Sequence, residues 1–197
     1  MMNPLYNNRI YYALDPEYIK KVVKHIAHDG NYVGKTLEFV NCRIVIPSLG
    51  RHVHEYFEHA GSKIGEVVGL MQAISAGDCS YITDTYDSMH YVFLKDEVKR
   101  AGAQFTDDCV LTRRAVISFP ATHCFENIQV MARDGDAVIT VNMRSCNAYA
   151  NLASDLYLAY LLAAEAYSGT IWNPKEVTMI ANFGSLHVFR EDAKNVL

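Results

Sequence analysis

The sequence predicts one α+β domain: a mainly antiparallel sheet packed on a long buried helix. Short segments rich in β-branched residues, separated by turn signals, occur in both halves of the chain. One longer segment, 151–167, has helical length and is apolar nearly all round, which is typical of a buried helix. The 197 residues show no repeat or linker, so we treat 1–197 as a single domain with its own core.

The first half of the chain predicts two helices with a strand between them. Helical spacing over 16–28 predicts a helix, with Asp15 as its candidate N-cap and Pro16 at its first helical position. Residues 36–47 are rich in β-branched side chains and predict a strand. Residues 55–74 predict a second helix, weakened in its middle by glycine. Residues 80–104 give no clear pattern.

The second half predicts most of the sheet. Strands are expected at 115–119, 127–132 and 137–143, and Asp134-Gly135 between the last two is a hairpin signal. The buried helix follows, with Asn151 as its candidate N-cap. Two short strands, 177–183 and 186–189, are expected to form a closing hairpin.

Two motifs that suggest chemistry are better explained by ordinary structure. GNYVGKT, 30–36, is one residue short of a phosphate loop, and it follows a helix and precedes a strand, so it predicts a turn. RHVHEYFEH, 51–59, places His54 and His59 about 140° apart on a helix, which does not suit a metal. The sequence therefore predicts no metal site.

Composition excludes some classes of partner. The net charge of −4 provides no cationic field for nucleic acid or a membrane surface. The N-terminus lacks the apolar core of a signal peptide, and no apolar run reaches membrane-spanning length. The five cysteines are odd in number and form no CxxC pair, which favours reduced thiols in a cytoplasmic protein.

Cys124 is the candidate nucleophile. In a two-stranded ribbon that turns at Asp134-Gly135, facing positions sum to about 269, so Cys124 is expected opposite Ser145 and within a residue of Arg144. A nearby arginine is one of the groups that activate a cysteine. By itself, a cysteine at the start of a strand is usually a small buried hydrophobe.

Three other charged residues also admit two interpretations. Arg113 and Arg114 precede an apolar strand, and a solvated strand end explains them. Asp155 lies in the first turn of the apolar helix, where complementarity to the helix dipole is the common explanation. Because that helix is too apolar for the surface, a buried functional carboxylate is the alternative that we favour.

Several segments resemble the thymidylate synthase and pyrimidine hydroxymethylase family. TRRAVISF, 112–119, is similar to the paired-arginine strand of that family. Cys124, Gln129, the Asp134-Gly135 turn and Arg144-Ser145-Cys146 follow the order and spacing of its catalytic block. GSLHVF, EVVGLMQ and TYDSMHY are similar to its segments that carry a sugar-binding histidine, a catalytic glutamate and an active-site tyrosine.

The resemblance implies a role for each matching residue. Cys124 would attack C6 of the pyrimidine, Glu66 would organise proton transfer, and Tyr86 would belong to the catalytic set. Arg144 and Ser145 would hold the 5′-phosphate, which suits guanidinium chemistry. The substrate would also be contacted by further residues: Gln129 as support, His187 at the sugar, and Arg113 and Arg114 from the neighbouring subunit of a homodimer.

Asp155 stands where thymidylate synthases carry asparagine. An amide pairs with uracil, whereas a carboxylic acid that shares a proton with N3 pairs with cytosine, and a site built for one pattern rejects the other. Within the family, aspartate here is typical of cytidylate hydroxymethylases. The resemblance therefore implies CMP or dCMP as the substrate, and it leaves the choice of sugar open.

Few of the family's folate-binding features have a match in this sequence. Asn147 replaces an aspartate that contacts the folate, the arginine loop near the N-terminus is replaced by NYVGKT, and the single tryptophan is Trp172. The expected activity is C5-hydroxymethylation through a Cys124–C6 adduct, with 5,10-methylenetetrahydrofolate as the family's one-carbon donor. The alternatives are a folate-independent or methylating enzyme that acts on UMP or dUMP, and a nucleotide-binding protein that has lost catalysis.

Overall fold

The computed structural model describes residues 9–13, 15, 17–49, 53–57, 63–76, 91–106, 111–168, 170 and 173–196. In these residues the chain forms a mixed sheet and six helices. The strands are β1 (Ile10–Tyr12), β2 (Asn31–Val33), β3 (Thr36–Ile46), β4 (Val116–Ser118), β5 (Phe125–Arg133), β6 (Asp136–Asn147) and β7 (Val177–Phe189). The helices are α1 (Tyr18–Asp29), α2 (Val53–Phe57), α3 (Lys63–Ala76), α4 (Tyr91–Gly102), α5 (Leu152–Tyr167) and α6 (Arg190–Ala193).

The predicted α+β class is confirmed, and the sheet is mixed. Its order is β1-β3-β7-β6-β5-β4, with β2 paired to β3. Pairing is antiparallel except at β1–β3 and β6–β7. The parallel β6–β7 pair requires a crossover, and α5 supplies it. Side chains of α5 are buried along most of its length, as its composition predicts.

The hairpin between β5 and β6 forms where the sequence predicts it. Asp134 and Gly135 both have positive φ, 52° and 91°, as a type I′ turn requires. Facing positions follow the predicted register from Arg133↔Asp136 to Asn127↔Asn142. A bulge between Phe125 and Asn127 then shifts the pairing by one residue.

Three neighbouring strands are irregular in one transverse row. The buried positions in β6 and β7 alternate up to Met143 and Phe183 and resume, one residue out of phase, at Cys146 and Leu186. In β3 the same change of phase occurs at Asn41, whose φ is 52°. The pairings on either side place Asn41, Gly184 and Arg144 side by side. We call this row the kink; its last member, Arg144, is paired with Cys124.

Gly184 is required by the closeness of the strands at the kink. A Cβ atom at this position would lie 2.7 Å from the carbonyl oxygen of Arg144, a distance that real Cβ atoms do not show. The predicted closing hairpin at 177–183 and 186–189 is wrong, because the chain continues through Gly184 as one strand, β7. The glycine marks an irregularity inside this strand and not a turn between two strands.

Of the two predicted N-caps, the position of Asn151 is confirmed and that of Asp15 is wrong. Helix α1 begins at Tyr18 with Glu17 in the cap position, and the Asp15 carboxylate instead pairs with Lys21 Nζ at 2.6 Å. Asn151 does precede α5, but its side chain caps no backbone N–H group. Pro16 lies outside the described residues, as do residues 58–62 between α2 and α3. No helix in the described ranges is long and apolar enough to span a membrane.

Candidate functional site

Cys124 lies at a corner of the sheet. Its carbonyl oxygen accepts a hydrogen bond from Arg144 N at 2.8 Å, so the bulge places Cys124 opposite Arg144, and the predicted pairing with Ser145 is one residue off. Ser145 nevertheless remains close, with its Oγ 3.6 Å from Cys124 Sγ. The thiol is exposed. Sequence reasoning thus predicts the neighbours of Cys124 and misses the bulge that orders them.

The corner is open because β5 stops pairing there. Beyond Arg144, residues 145–147 pair with β7 on one side and have no described strand partner on the other. Arg144 Nη1 donates to Ala121 O at 2.9 Å, which ties the strand to the turn before Cys124. A small molecule can therefore approach the thiol and the Ser145 hydroxyl along a free strand edge.

Asp155 reaches the same strand through Cys146. Both side chains are buried, with exposed fractions of 8% and 3%, and Cys146 Sγ lies 3.6 Å from Asp155 Oδ2. Burial, followed by the charge of Asp155, raises the pKa of the Cys146 thiol well above its ordinary value. Cys146 therefore stays protonated and donates to the carboxyl of Asp155. The expectation that Asp155 is a buried carboxylate is confirmed.

Glu66 lies on α3, which packs against α5. One turn earlier on α3, Lys63 Nζ donates to Asn151 Oδ1, so the first turns of α3 and α5 meet. Glu66 is three residues further on and shares that side of the helix. Its Oε2 is buried and has no described hydrogen-bond partner. A buried acceptor without a partner costs about 1–3 kcal/mol, so a proton-bearing ligand group would stabilise it.

Arg113, Arg114 and Gln129 are not brought to Cys124 within one chain. Gln129 Nε2 donates to Arg113 O at 2.8 Å, and Gln129 pairs with Val116 across β4 and β5. Gln129 is five residues along β5 from Cys124, or about 16 Å at 3.3 Å per residue. Both arginines are exposed. Within this chain the two arginines therefore lie away from Cys124.

His187 and Asn147 lie opposite each other on β7 and β6. Desolvation lowers the pKa of His187, and the charge of Glu38 partly offsets this. Asn147 Oδ1 accepts from the backbone N–H groups of Tyr149 and Ala150 at 3.1 and 3.3 Å. The side chain of Asn147 therefore shapes the turn into α5, a structural role that the sequence does not suggest.

Sequence reasoning also misses a chain of hydrogen bonds across four strands. Arg43 Nε donates to Asn182 Oδ1 at 2.8 Å, Asn182 Nδ2 donates to Asn142 Oδ1 at 2.9 Å, and Asn142 Nδ2 donates to Asn127 Oδ1 at 2.8 Å. These side chains lie on the face of the sheet opposite the buried apolar positions. Alternation in each strand predicts the face but not this alignment.

Tyr86 lies outside the described residues, so its predicted role has no structural counterpart here. His59 also lies outside them, and of His54 only the backbone is described. Among the side chains that are described, no group of three histidine, cysteine, aspartate or glutamate residues could hold a metal ion.

The described site therefore combines an exposed thiol, a hydroxyl and a guanidinium at a free strand edge with the buried carboxyl of Asp155 on α5, which Cys146 contacts from the same strand. Such a set can add a thiol to an electrophilic ring, bind an anion and read a polar ring edge. No protein-family model matches this chain, and no curated protein matches it significantly.

Proposed function

We propose that this protein is a thymidylate synthase-like enzyme that hydroxymethylates C5 of a cytidine monophosphate, CMP or dCMP. One observation carries the proposal: Cys124, Arg144 and Ser145 meet at the open corner of the sheet, and Cys146 links that strand to the buried carboxyl of Asp155. Thiol, phosphate anchor and base reader are the three groups that such a reaction needs. The resemblance in sequence assigns these roles to the same residues.

The reaction begins with addition of the Cys124 thiolate to C6. The S–C6 bond forms as the C5–C6 π electrons shift, which makes C5 a carbon nucleophile. C5 then attacks a one-carbon electrophile at the oxidation level of formaldehyde, and the proton on C5 is lost to a base. Elimination of the thiolate restores the ring, and the added carbon stays on C5 as a hydroxymethyl group. Glu66, with its buried unpaired oxygen, is our candidate for proton transfer.

The surroundings of Asp155 support a cytosine ring. Cytosine presents a donor amino group and an acceptor N3, so its partner must accept one hydrogen bond and donate the other. A carboxyl group can do both in its protonated form. Cys146 donates to Oδ2, which marks that oxygen as an acceptor in the described structure.

The described residues do not fit a folate site well. Asn147 is the one candidate for the cofactor, and its Oδ1 is already used by two backbone N–H groups. Trp172 lies outside the described residues. This observation favours the second candidate, a C5-modifying enzyme that uses a donor other than methylenetetrahydrofolate, and we route no step through the folate.

A homodimer belongs to the proposal. Arg113 and Arg114 are exposed, and in their own chain they lie further along the sheet from Cys124 than Gln129, which is itself about 16 Å away. If they bind the substrate phosphate, they do so from the partner chain.

Release of tritium from C5 tests the function. The protein is incubated with CMP, dCMP, UMP or dUMP tritiated at C5, with methylenetetrahydrofolate, with formaldehyde, or with neither. We expect release from cytidylates, and its loss in Cys124→Ala, with Cys42→Ala as the matched control because Cys42 is buried in the core. Release that requires folate selects the first donor, and release with formaldehyde selects the second. Nucleotide binding without release under any condition would indicate a protein that has lost catalysis.

A further inference from the structure

A cavity of about 640 Å³ lies on the sheet at the kink. Of the residues that line it, the proposed function assigns a role only to Arg144. The cavity extends from the beginning of β1 across β3, β7 and β6 to the start of β5. Gly184 lies in its wall, where any larger residue would collide with Arg144. Arg144, which we assign to the substrate phosphate, lines the same cavity.

The charge around the cavity is positive. Its lining includes three arginines, Arg9, Arg43 and Arg144, and one carboxylate, Glu126. Arg9 is already engaged, since its guanidinium lies 4.1 Å from the centre of the Phe39 ring and its Nη1 is 2.7 Å from His25 Nε2. Arg43 and Arg144 form no ion pair with a described residue. Arg144 Nη1 already donates to Ala121 O at 2.9 Å, so its Nε and Nη2 are the groups that an anion can use.

Arg43 is held in place by the hydrogen-bonded chain across the sheet. Asn182 accepts from its Nε at 2.8 Å, and Asn182 is itself fixed by Asn142 at 2.9 Å. The two Nη groups of Arg43 make no described hydrogen bond and remain free to donate. A guanidinium fixed through Nε loses less conformational entropy when it binds a phosphate.

The two arginines are close enough to share one ligand group. Arg43 is level with Asn142, and it lies two strands away from β6, or roughly 10 Å at 4.8 Å per strand. Arg144 is two residues further along β6, which puts the two Cα atoms roughly 12 Å apart. Two arginine side chains can meet over that distance when Arg144 exchanges its hydrogen bond to Ala121 O for a contact with the anion. Arg144 is paired with Cys124 through its backbone, so the β6 end of the cavity lies next to the strand that carries the thiol.

We infer that the 5′-phosphate of the substrate binds in this cavity between Arg43 and Arg144, so that Arg43 is a second phosphate-binding residue of the chain. The inference rests on the proposed function, because it takes the ligand to be a nucleoside monophosphate. Asn182 acts as a positioning residue for Arg43. Charge-assisted, two-pronged contacts to phosphate oxygens are the chemistry that arginine provides.

Calorimetric titration with CMP and with cytidine, which differ only in the 5′-phosphate, separates the contribution of the phosphate contact from the contributions of the base and the sugar. We expect Arg43→Gln to weaken CMP binding about 10- to 100-fold and to leave cytidine binding unchanged. Asn182→Ala should weaken CMP binding by a smaller factor, about 2- to 5-fold, because Arg43 remains but is less well held. Arg190→Gln is the matched control, because Arg190 is an exposed arginine placed over the Tyr32 ring at the far end of β7.

Two results overturn the inference. CMP affinity in Arg43→Gln within twofold of the wild type excludes Arg43 from the phosphate site, and tritium release from cytidylate would then leave the proposed function standing. An equal loss of affinity in Arg43→Gln and Arg190→Gln would show a general effect of charge and not a site. Conversely, a CMP-specific loss in Arg43→Gln without any tritium release would support the phosphate site and contradict the proposed chemistry.

Discussion

Gly184→Ala should destabilise the protein, whereas the same change at Gly65 should stabilise it. At Gly184 the added Cβ would lie 2.7 Å from Arg144 O, and both atoms belong to paired strands that cannot move freely. At Gly65, inside α3, an added Cβ would meet nothing within 4 Å. The chemical change is identical at both positions, so the difference in the free energy of unfolding between the two variants measures the effect of the close approach at the kink.

The magnitudes follow from the two surroundings. Overpacking of this kind costs about 1–3 kcal/mol in the free energy of unfolding. In an exposed helix interior, alanine in place of glycine stabilises by about 0.5–1 kcal/mol. For a chain of this length, each kcal/mol corresponds to about 2–4 °C in Tm. We therefore expect the two variants to lie on opposite sides of the wild type, separated by several degrees.

Urea unfolding followed by circular dichroism measures both variants. The midpoint for Gly184→Ala should fall while the slope stays constant, and the midpoint for Gly65→Ala should rise. Because Gly184 supports Arg144, CMP binding should weaken in the first variant and not in the second. A Gly184→Ala protein as stable as the wild type would refute the reasoning, because strands β6 and β7 would then not be held at the separation described.

Three further predictions concern single side chains. Asp155→Asn should move the preference between CMP and UMP toward UMP by about 10- to 100-fold in tritium release, and an unchanged preference would remove Asp155 as the base reader. His187 has a lowered pKa, so its protonation opposes folding, and wild-type stability should fall as the pH drops below about 6.5 toward the folded-state pKa. His187→Gln should lose that part of the slope in unfolding measurements between about pH 5 and 7, and an identical slope in the variant would contradict the assignment. Asn41, with φ of 52°, should tolerate glycine, whereas alanine should cost about 1 kcal/mol in urea unfolding; equal stability of the two variants would show that the positive φ is not enforced.

Local patterns predict the hairpin and the buried helix well, because their causes are local. Asp134-Gly135 adopts the turn that its residue types favour, and the composition of α5 sets its burial. The start of α1 and the course of β7 were predicted wrongly for the opposite reason. The Asp15 carboxylate pairs with Lys21, and glycine is required at position 184 because the Arg144 carbonyl of the neighbouring strand lies too close for a Cβ atom. Local sequence patterns predict neither of these contacts.

In the candidate site, too, the contacts set by local pairing could be predicted from the sequence, and those set by the packing of distant elements could not. Spacing around the hairpin is enough to bring Cys124 near Arg144 and Ser145, because antiparallel pairing is governed by the turn. The contact between Cys146 and Asp155, the meeting of Lys63 with Asn151, and the row from Arg43 to Asn127 depend on how distant elements pack. These contacts follow from tertiary structure alone, and they supply the phosphate inference.

The covalent step is the centre of this account, and trapping it is the most direct test. A cytidine monophosphate with fluorine at C5 cannot lose a proton there, so the thiol adduct should persist once the one-carbon donor has reacted. Intact-protein and peptide mass spectrometry should find one nucleotide per chain on Cys124, and none in Cys124→Ser. Labelling of Cys42 or Cys146, or nucleotide binding without any adduct, would contradict the assignment of Cys124 as the nucleophile.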